Sequence, residues 1–213
     1  MGFTLIGLWK LIRMKLLTAA VLAVLAVSAF AEIITVEPEW KEIDWASVVP
    51  VTDMPGFWDG REIRPAFYPN DQTRSGRIVG GAIVTPGAHP YQAGLLMAFS
   101  GGTGLCGGSL ISTTRVLTAA HCPIGSSSTQ VILGAHTLTA NEATQQRRTV
   151  PSANYRNHPS YNPGNLNNDI SVLILPTAVG FTARIQPSAL ASGTATFAGE
   201  LATVSGIFVM SVN

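Results

Sequence analysis

"CGGSLISTTRVLTAAHC", residues 106–122, is the stretch on which the fold turns. It joins two short runs, "GLCGGSLIS" (104–112) and "RVLTAA" (115–120), whose length and apolar content fit strands rather than helices. It ends with a histidine set directly before a cysteine. His121 is therefore either a base for chemistry or a histidine packed against a disulfide, and the six residues "LTAAHC" alone do not separate the two.

Working outward, "YQAGLLMAF" (91–99), "QVILGA" (130–135), "RRTVPSANY" (147–155) and "DISVLIL" (169–175) are further strand candidates. Turn clusters such as "SGGTG" (100–104) and "NPGNLNN" (162–168) divide them. With no heptads, no repeat period and no alternation of strands with helices, the pattern predicts an all-β barrel or sandwich. Residues 176–199 read as a crossover to another unit, and "ELATVSG" (200–206) as one more strand.

A chain of 213 residues holds one or two domains. Its 46% hydrophobic and 12% charged content excludes wholesale disorder, and a net charge of +1 gives no reason to expect a nucleic-acid partner. The charge is unevenly placed. Nine of the twelve carboxylates and all four tryptophans (Trp9, Trp40, Trp45, Trp58) precede Arg77, whereas the remainder is Gly- and Thr-rich and keeps only Glu142, Asp169 and Glu200. Two segments with different physical tasks are joined near Arg77.

Residues 14–31, "MKLLTAAVLAVLAVSAFA", combine a basic start, an apolar run and the small-x-small pattern Ala29-Phe30-Ala31. They predict a secretory signal cleaved after Ala31 within a signal region 1–31, with Met14 the expected true start. The run is shorter than the roughly 20 residues of a spanning helix, so no membrane association is expected of the mature form. Export implies an oxidising compartment in which Cys106 and Cys122 can pair. Residues 32–77 come next as an acidic segment rich in proline and aromatics, without helical or strand period. Its aromatics are expected to dock on the domain after it.

Several motifs now fall together. "RIVGG" (77–81), "CGGSLIS" (106–112), "VLTAAHC" (116–122), "NNDISVLIL" (167–175) and "ATVSG" (202–206) resemble, in order and spacing, segments of the chymotrypsin/trypsin-like serine peptidases. "HPSYNPGNLNNDIS" and the long acidic segment are most similar to insect digestive chymotrypsin- and collagenase-type members. The resemblance implies a chymotrypsin-like antiparallel β-barrel: the first barrel, the crossover and the first strand of a second. It divides the chain into a signal region (1–31), a pro-segment (32–77) and a peptidase domain (78–213). Cleavage after Arg77 by an activating trypsin-like protease would free the amine of Ile78.

In this family a histidine takes the proton of a serine attacking a peptide carbonyl, and an aspartate orients the imidazole. By resemblance His121 is the catalytic base and Asp169 its partner, and Cys106 and Cys122 occupy positions that the family bridges. The implied substrates are proteins or peptides. No cofactor is implied. No metal site is expected either, since His89, His121, His136 and His158 are scattered without close paired spacing to the cysteines.

The family's nucleophile lies in a Gly-Asp-Ser-Gly-Gly stretch, and none occurs among the 213 residues. Ser171, Ser188, Ser192, Ser205 and Ser211 lack that context. After Gly206 the family continues with Trp-Gly, whereas this sequence reads "IFVMSVN" (207–213). The sharp break reads as a truncation by a retained intron, a frameshift or an alternative exon. The expectation is a secreted serine endopeptidase precursor, inactive as given. The rival expectation is a non-catalytic secreted homologue that binds partners through its surviving barrel.

Overall fold

The computed structural model describes residues 43–61, 82–194 and 196–207. All of them belong to one compact unit, Ile43–Asn213. The signal stretch 14–31 and the junction Arg77–Ile78 lie outside the described residues.

Among the described residues there are eight strands: β1 (Val49–Pro50), β2 (Gln92–Phe99), β3 (Gly102–Ser112), β4 (Arg115–Thr118), β5 (Ser128–Leu133), β6 (Gln146–Pro151), β7 (Tyr155–Asn157) and β8 (Ser171–Ile174). Seven of them make one antiparallel sheet in the order β6-β5-β2-β3-β4-β8-β7. Its two edge strands, β6 and β7, are consecutive in the chain and joined only by the 3₁₀ turn Ser152–Asn154. The sheet is thereby curled upon itself as a barrel, in agreement with the all-β expectation. Such curling leaves few open edges.

Alternation along the strands explains the core. Ala93, Leu95 and Met97 of β2 point to one side, where Leu110, Val116, Val131, Leu133, Val150 and Leu173 meet them, all buried. Leu175, Val179 and Ile185 from the segment after β8 complete this cluster. Tyr155 is paired where its hydroxyl enters the barrel: it meets Thr129 Oγ1 at 2.8 Å and Ser126 Oγ at 3.0 Å.

Two strand boundaries differ from the sequence reading. The run 147–155 breaks into β6 and β7, because Ser152–Asn154 turn as a 3₁₀ helix at the barrel corner. Residues 200–206, expected as a strand, belong to no ladder among the described residues. A strand is defined by its neighbour, and no described strand lies beside this one. Leu201 and Val204 are exposed there, while Ser205 Oγ donates to Gln92 Oε1 at 2.9 Å.

Residues 43–61 lie on the barrel. Asp44 caps the 3₁₀ turn Trp45–Ser47 by accepting from the Ala46 N–H, and β1 then pairs in parallel with Gly104 and Leu105 of β3. Val48 and Val51 are buried, and Val51 belongs to the core cluster. The expected docking of this segment on the barrel is thus seen for residues 43–61.

Candidate active site

The ladder between β4 and β8 builds the site. Thr118 lies opposite Ser171 in antiparallel register. The chain leaving β4 and the chain entering β8 therefore meet at the same end of the sheet. His121, three residues beyond Thr118, arrives beside Asp169, two residues before Ser171. Hydrogen bonds brace each approach: Thr118 Oγ1 donates to the Gly107 carbonyl at 2.8 Å, and Ser171 Oγ donates to Asn157 Oδ1 at 2.7 Å. Asn168 turns with φ 58°, a left-handed conformation that asparagine tolerates better than most residues.

Asp169 holds His121 at two points. The His121 backbone N–H donates to Oδ1 at 2.8 Å, and ring Nδ1 lies 2.7 Å from Oδ2. A carboxylate only accepts, so Nδ1 carries the proton in this contact. Nε2 is left as the ring's proton acceptor when the imidazole is neutral. Both side chains are largely enclosed, at 18% and 20% exposure. The arrangement fixes one tautomer and one ring orientation, and its carboxylate can stabilise positive charge on the ring.

Cys106 and Cys122 are joined in a disulfide that ties β3 to the turn carrying His121. His121 Nε2 lies 3.5 Å from Cys122 Sγ and 4.0 Å from Cys106 Sγ. These three residues bring potential metal ligands together. The sulfurs are bonded to each other, however, and supply no thiolate to a metal. His121 thus does both things its sequence context allowed: it packs against a disulfide and is oriented by a carboxylate.

None of the serines singled out in the sequence reaches this ring among the described residues. Ser171 is buried on Asn157, Ser188 bonds Ala189 and Ser205 bonds Gln92.

Three neighbours of the pair were not singled out by sequence reasoning. Phe57 packs edge-to-face on the His121 ring, with centroids 5.5 Å apart and planes at 77°. Arg61 stacks over Phe57 at 3.8 Å. Burial pushes the Tyr161 hydroxyl above its ordinary pKa, with the Asp169 charge adding to the rise and the nearby Arg61 charge opposing it. The only signal for them was the aromatic content of "MPGFWDG" (54–60) and "HPSYNPG" (158–164).

Residues 78–208 match the family described as Trypsin. The chain is 42% identical to cathepsin G of Mus musculus over 133 residues, covering 62% of this chain and 49% of that protein. It is 44% identical to brachyurin of Leptuca pugilator over 115 residues, covering 54% of this chain and 49% of the relative. Against trypsin of Xenopus laevis it is 41% identical over 130 residues, 61% of this chain and 50% of that one. A solved structure titled "Structure of GrC" superposes with a TM-score of 0.51 at 40% identity, covering 54% of this chain and 49% of the other. The chain spans about half the length of the curated relatives it matches. With a family match over more than half its residues, a curled antiparallel sheet and a histidine–aspartate pair at the matching motifs, the chain belongs to the trypsin family of serine peptidases.

Proposed function

We propose that this chain derives from a secreted serine endopeptidase made as a zymogen, in which residues 32–77 are removed by a trypsin-like protease cutting after Arg77. The carrying observation is the double contact of Asp169 with His121. With Nδ1–H fixed on the carboxylate, Nε2 takes the proton of a serine hydroxyl as it attacks a peptide carbonyl. The imidazolium so formed rests against Asp169 and later returns its proton to the leaving amine. The nucleophile and oxyanion donors come, by family, from a Gly-Asp-Ser-Gly-Gly stretch that the 213 residues do not contain. On this reading, those residues by themselves hydrolyse no peptide ester or amide above background. Leu201 and Val204 are exposed apolar side chains, which a second barrel would cover on this reading. The apolar run at 14–31 supports export, and no helix among the described residues is long and apolar enough to cross a membrane.

Sequencing the transcript through the codon for Gly206 tests the reading. A frame continuing to Gly-Asp-Ser-Gly-Gly supports it, and in that longer protein Asp169→Asn should lower kcat about 10⁴-fold while leaving the fold intact, the magnitude known for the family's template. Retention of full activity by that variant would remove Asp169 from the mechanism. Labelling of the 213-residue chain by a serine-directed fluorophosphonate, abolished by changing Ser192 or Ser205, would instead reveal a different nucleophile.

A further inference from the structure

We propose that residues 43–61 are an autoinhibitory strap, which seats Phe57 against His121 and stays on the barrel without a covalent tie after the chain is cut at Arg77. The functional consequence rests on the reading of His121 and of the Arg77 junction given above. The docking itself does not.

The strap fills an edge that the barrel leaves open. β3 is eleven residues long, but β4 pairs only with its far end, Ser109–Ser112. Gly104 and Leu105, already paired to β2 on one side, have their other side free, and β1 takes it. Gly104 makes room for the residues after β1. A Cβ there would stand 2.7 Å from Val51 Cγ2 and 3.0 Å from Met54 Sδ. The bare backbone of β3 is thus the floor on which Val51 and Met54 lie.

Past this anchor the strap turns towards the site. The Phe57 N–H donates to the Met54 carbonyl at 3.1 Å, and Gly56 takes φ 80°, a conformation costly for other residues. Phe57 is thereby delivered to the imidazole ring. Trp58 packs edge-on to Phe57 at 4.9 Å, and Arg61 covers Phe57 while its Nε–H donates to the Phe57 carbonyl. The Arg61 and Asp169 charges both act on the enclosed Tyr161 hydroxyl, which makes no hydrogen bond among the described residues. Phe57 therefore covers the His121 ring, with Arg61 stacked over Phe57. A polypeptide approaching His121 has to displace them.

None of these contacts depends on the peptide bond after Arg77, which lies well beyond Arg61. Cutting there leaves the ladder with β3 and the burial of Val48 and Val51 in place. Cleavage and exposure of His121 become separate events, and release of the strap is the second.

The test uses the 213-residue chain and diethylpyrocarbonate as a probe of accessible histidines, read by peptide mass spectrometry. Phe57→Ala should raise the modification rate of His121 several-fold and leave the rate at His136 unchanged. Gly104→Ala, whose Cβ would crowd Val51, Met54 and the barrel's own Phe99, should do the same. Equal rates at His121 in the wild type and in Phe57→Ala would overturn the proposal, even if Gly104→Ala failed to fold. After limited trypsin digestion, with Ile-Val-Gly-Gly confirmed at the new N-terminus, the strap peptide should co-elute with the barrel and His121 should stay protected. A strap that departs on cleavage overturns the retention. Resistance at Arg77 overturns the junction reading alone, and the footprint of the uncut chain then decides the strap.

Discussion

Two regions converge on His121: the β4–β8 corner, which brings Asp169, and the strap 43–61, which brings Phe57. The corner is held by backbone ladders whose register leaves little freedom, with Thr118 opposite Ser171 and a disulfide behind. The strap has a ladder of only two residues, Val49–Pro50, and otherwise relies on a few side chains. The same imidazole is thus fixed on one side by structure that opens only when the barrel unfolds. On the other it is covered by structure able to open alone. Segments with few buried contacts and short ladders open at low free-energy cost, and regulatory elements come from that end of the stability range.

The comparison is broken most directly by emptying the core. Leu95 is fully buried at the centre of β2, so Leu95→Ala should cost about 2–5 kcal/mol and lower the denaturant midpoint in one transition that takes corner and strap together. Val51→Ala, in the same cluster, removes two methyl groups, worth on the order of 1–2 kcal/mol. It should instead lift the strap, with loss of amide protection confined to residues 43–61. If Val51→Ala depressed the whole transition as far as Leu95→Ala, the strap would be an integral part of the barrel and the distinction would fail.

Removing the tie behind His121 sharpens the corner's side of the contrast. The double variant Cys106→Ala/Cys122→Ala leaves no free thiol and opens a loop of sixteen residues' separation. Chain entropy puts the loss at about 3 kcal/mol, seen as a lower urea midpoint. A loss far below that would show that the β3–β4 hairpin already confines this loop in the unfolded chain. Either result leaves the strap's own ladder with β3 untouched.

The corner was legible in the sequence and the strap was not, for physical reasons. Alternating apolar runs such as "YQAGLLMAF" declare strands because burial on one face has a period of two, and β2 begins within one residue of that run. Motif order then placed His121 and Asp169, and ladder register brings them within hydrogen-bond distance. Phe57 and Arg61 carry no such pattern. Their position depends on a floor created by the absence of a side chain at Gly104 and on turns at Gly56 and Gly60, and neither has a period. The aromatic content gave an expectation of docking on the domain that follows, but not of where. The run 200–206 failed for the converse reason: its pattern is strand-like, yet a strand also needs a neighbour to pair with.

The smallest expected effect separates two regions that are both held by side chains. In the loop after β5, Glu142 accepts from the backbone N–H of His136 at 3.0 Å and of Thr137 at 2.8 Å, and Arg184 lies 3.6 Å away. Those bonds, the His136 one foremost, hold its carboxyl below the ordinary value against some desolvation. The unfolded chain therefore binds the proton more readily. The stabilisation is present above the ordinary carboxylate range and is lost as pH falls through the lowered value. In the strap, Asp53 has the opposite sign, because desolvation raises its carboxyl against a hydrogen bond from Thr52. The docked strap keeps its proton longer than the free one, so docking is favoured at low pH and weakens as pH rises through the raised value. Acidification should then expose the amides of His136 and Thr137 to hydrogen exchange while protecting those of the strap. Glu142→Gln, which removes the titrating carboxylate, should abolish the first trend. Asp53→Asn should abolish the second. Parallel loss of protection in both regions on acidification would contradict the assignment of opposite signs, and would point to one titration acting through the barrel they share.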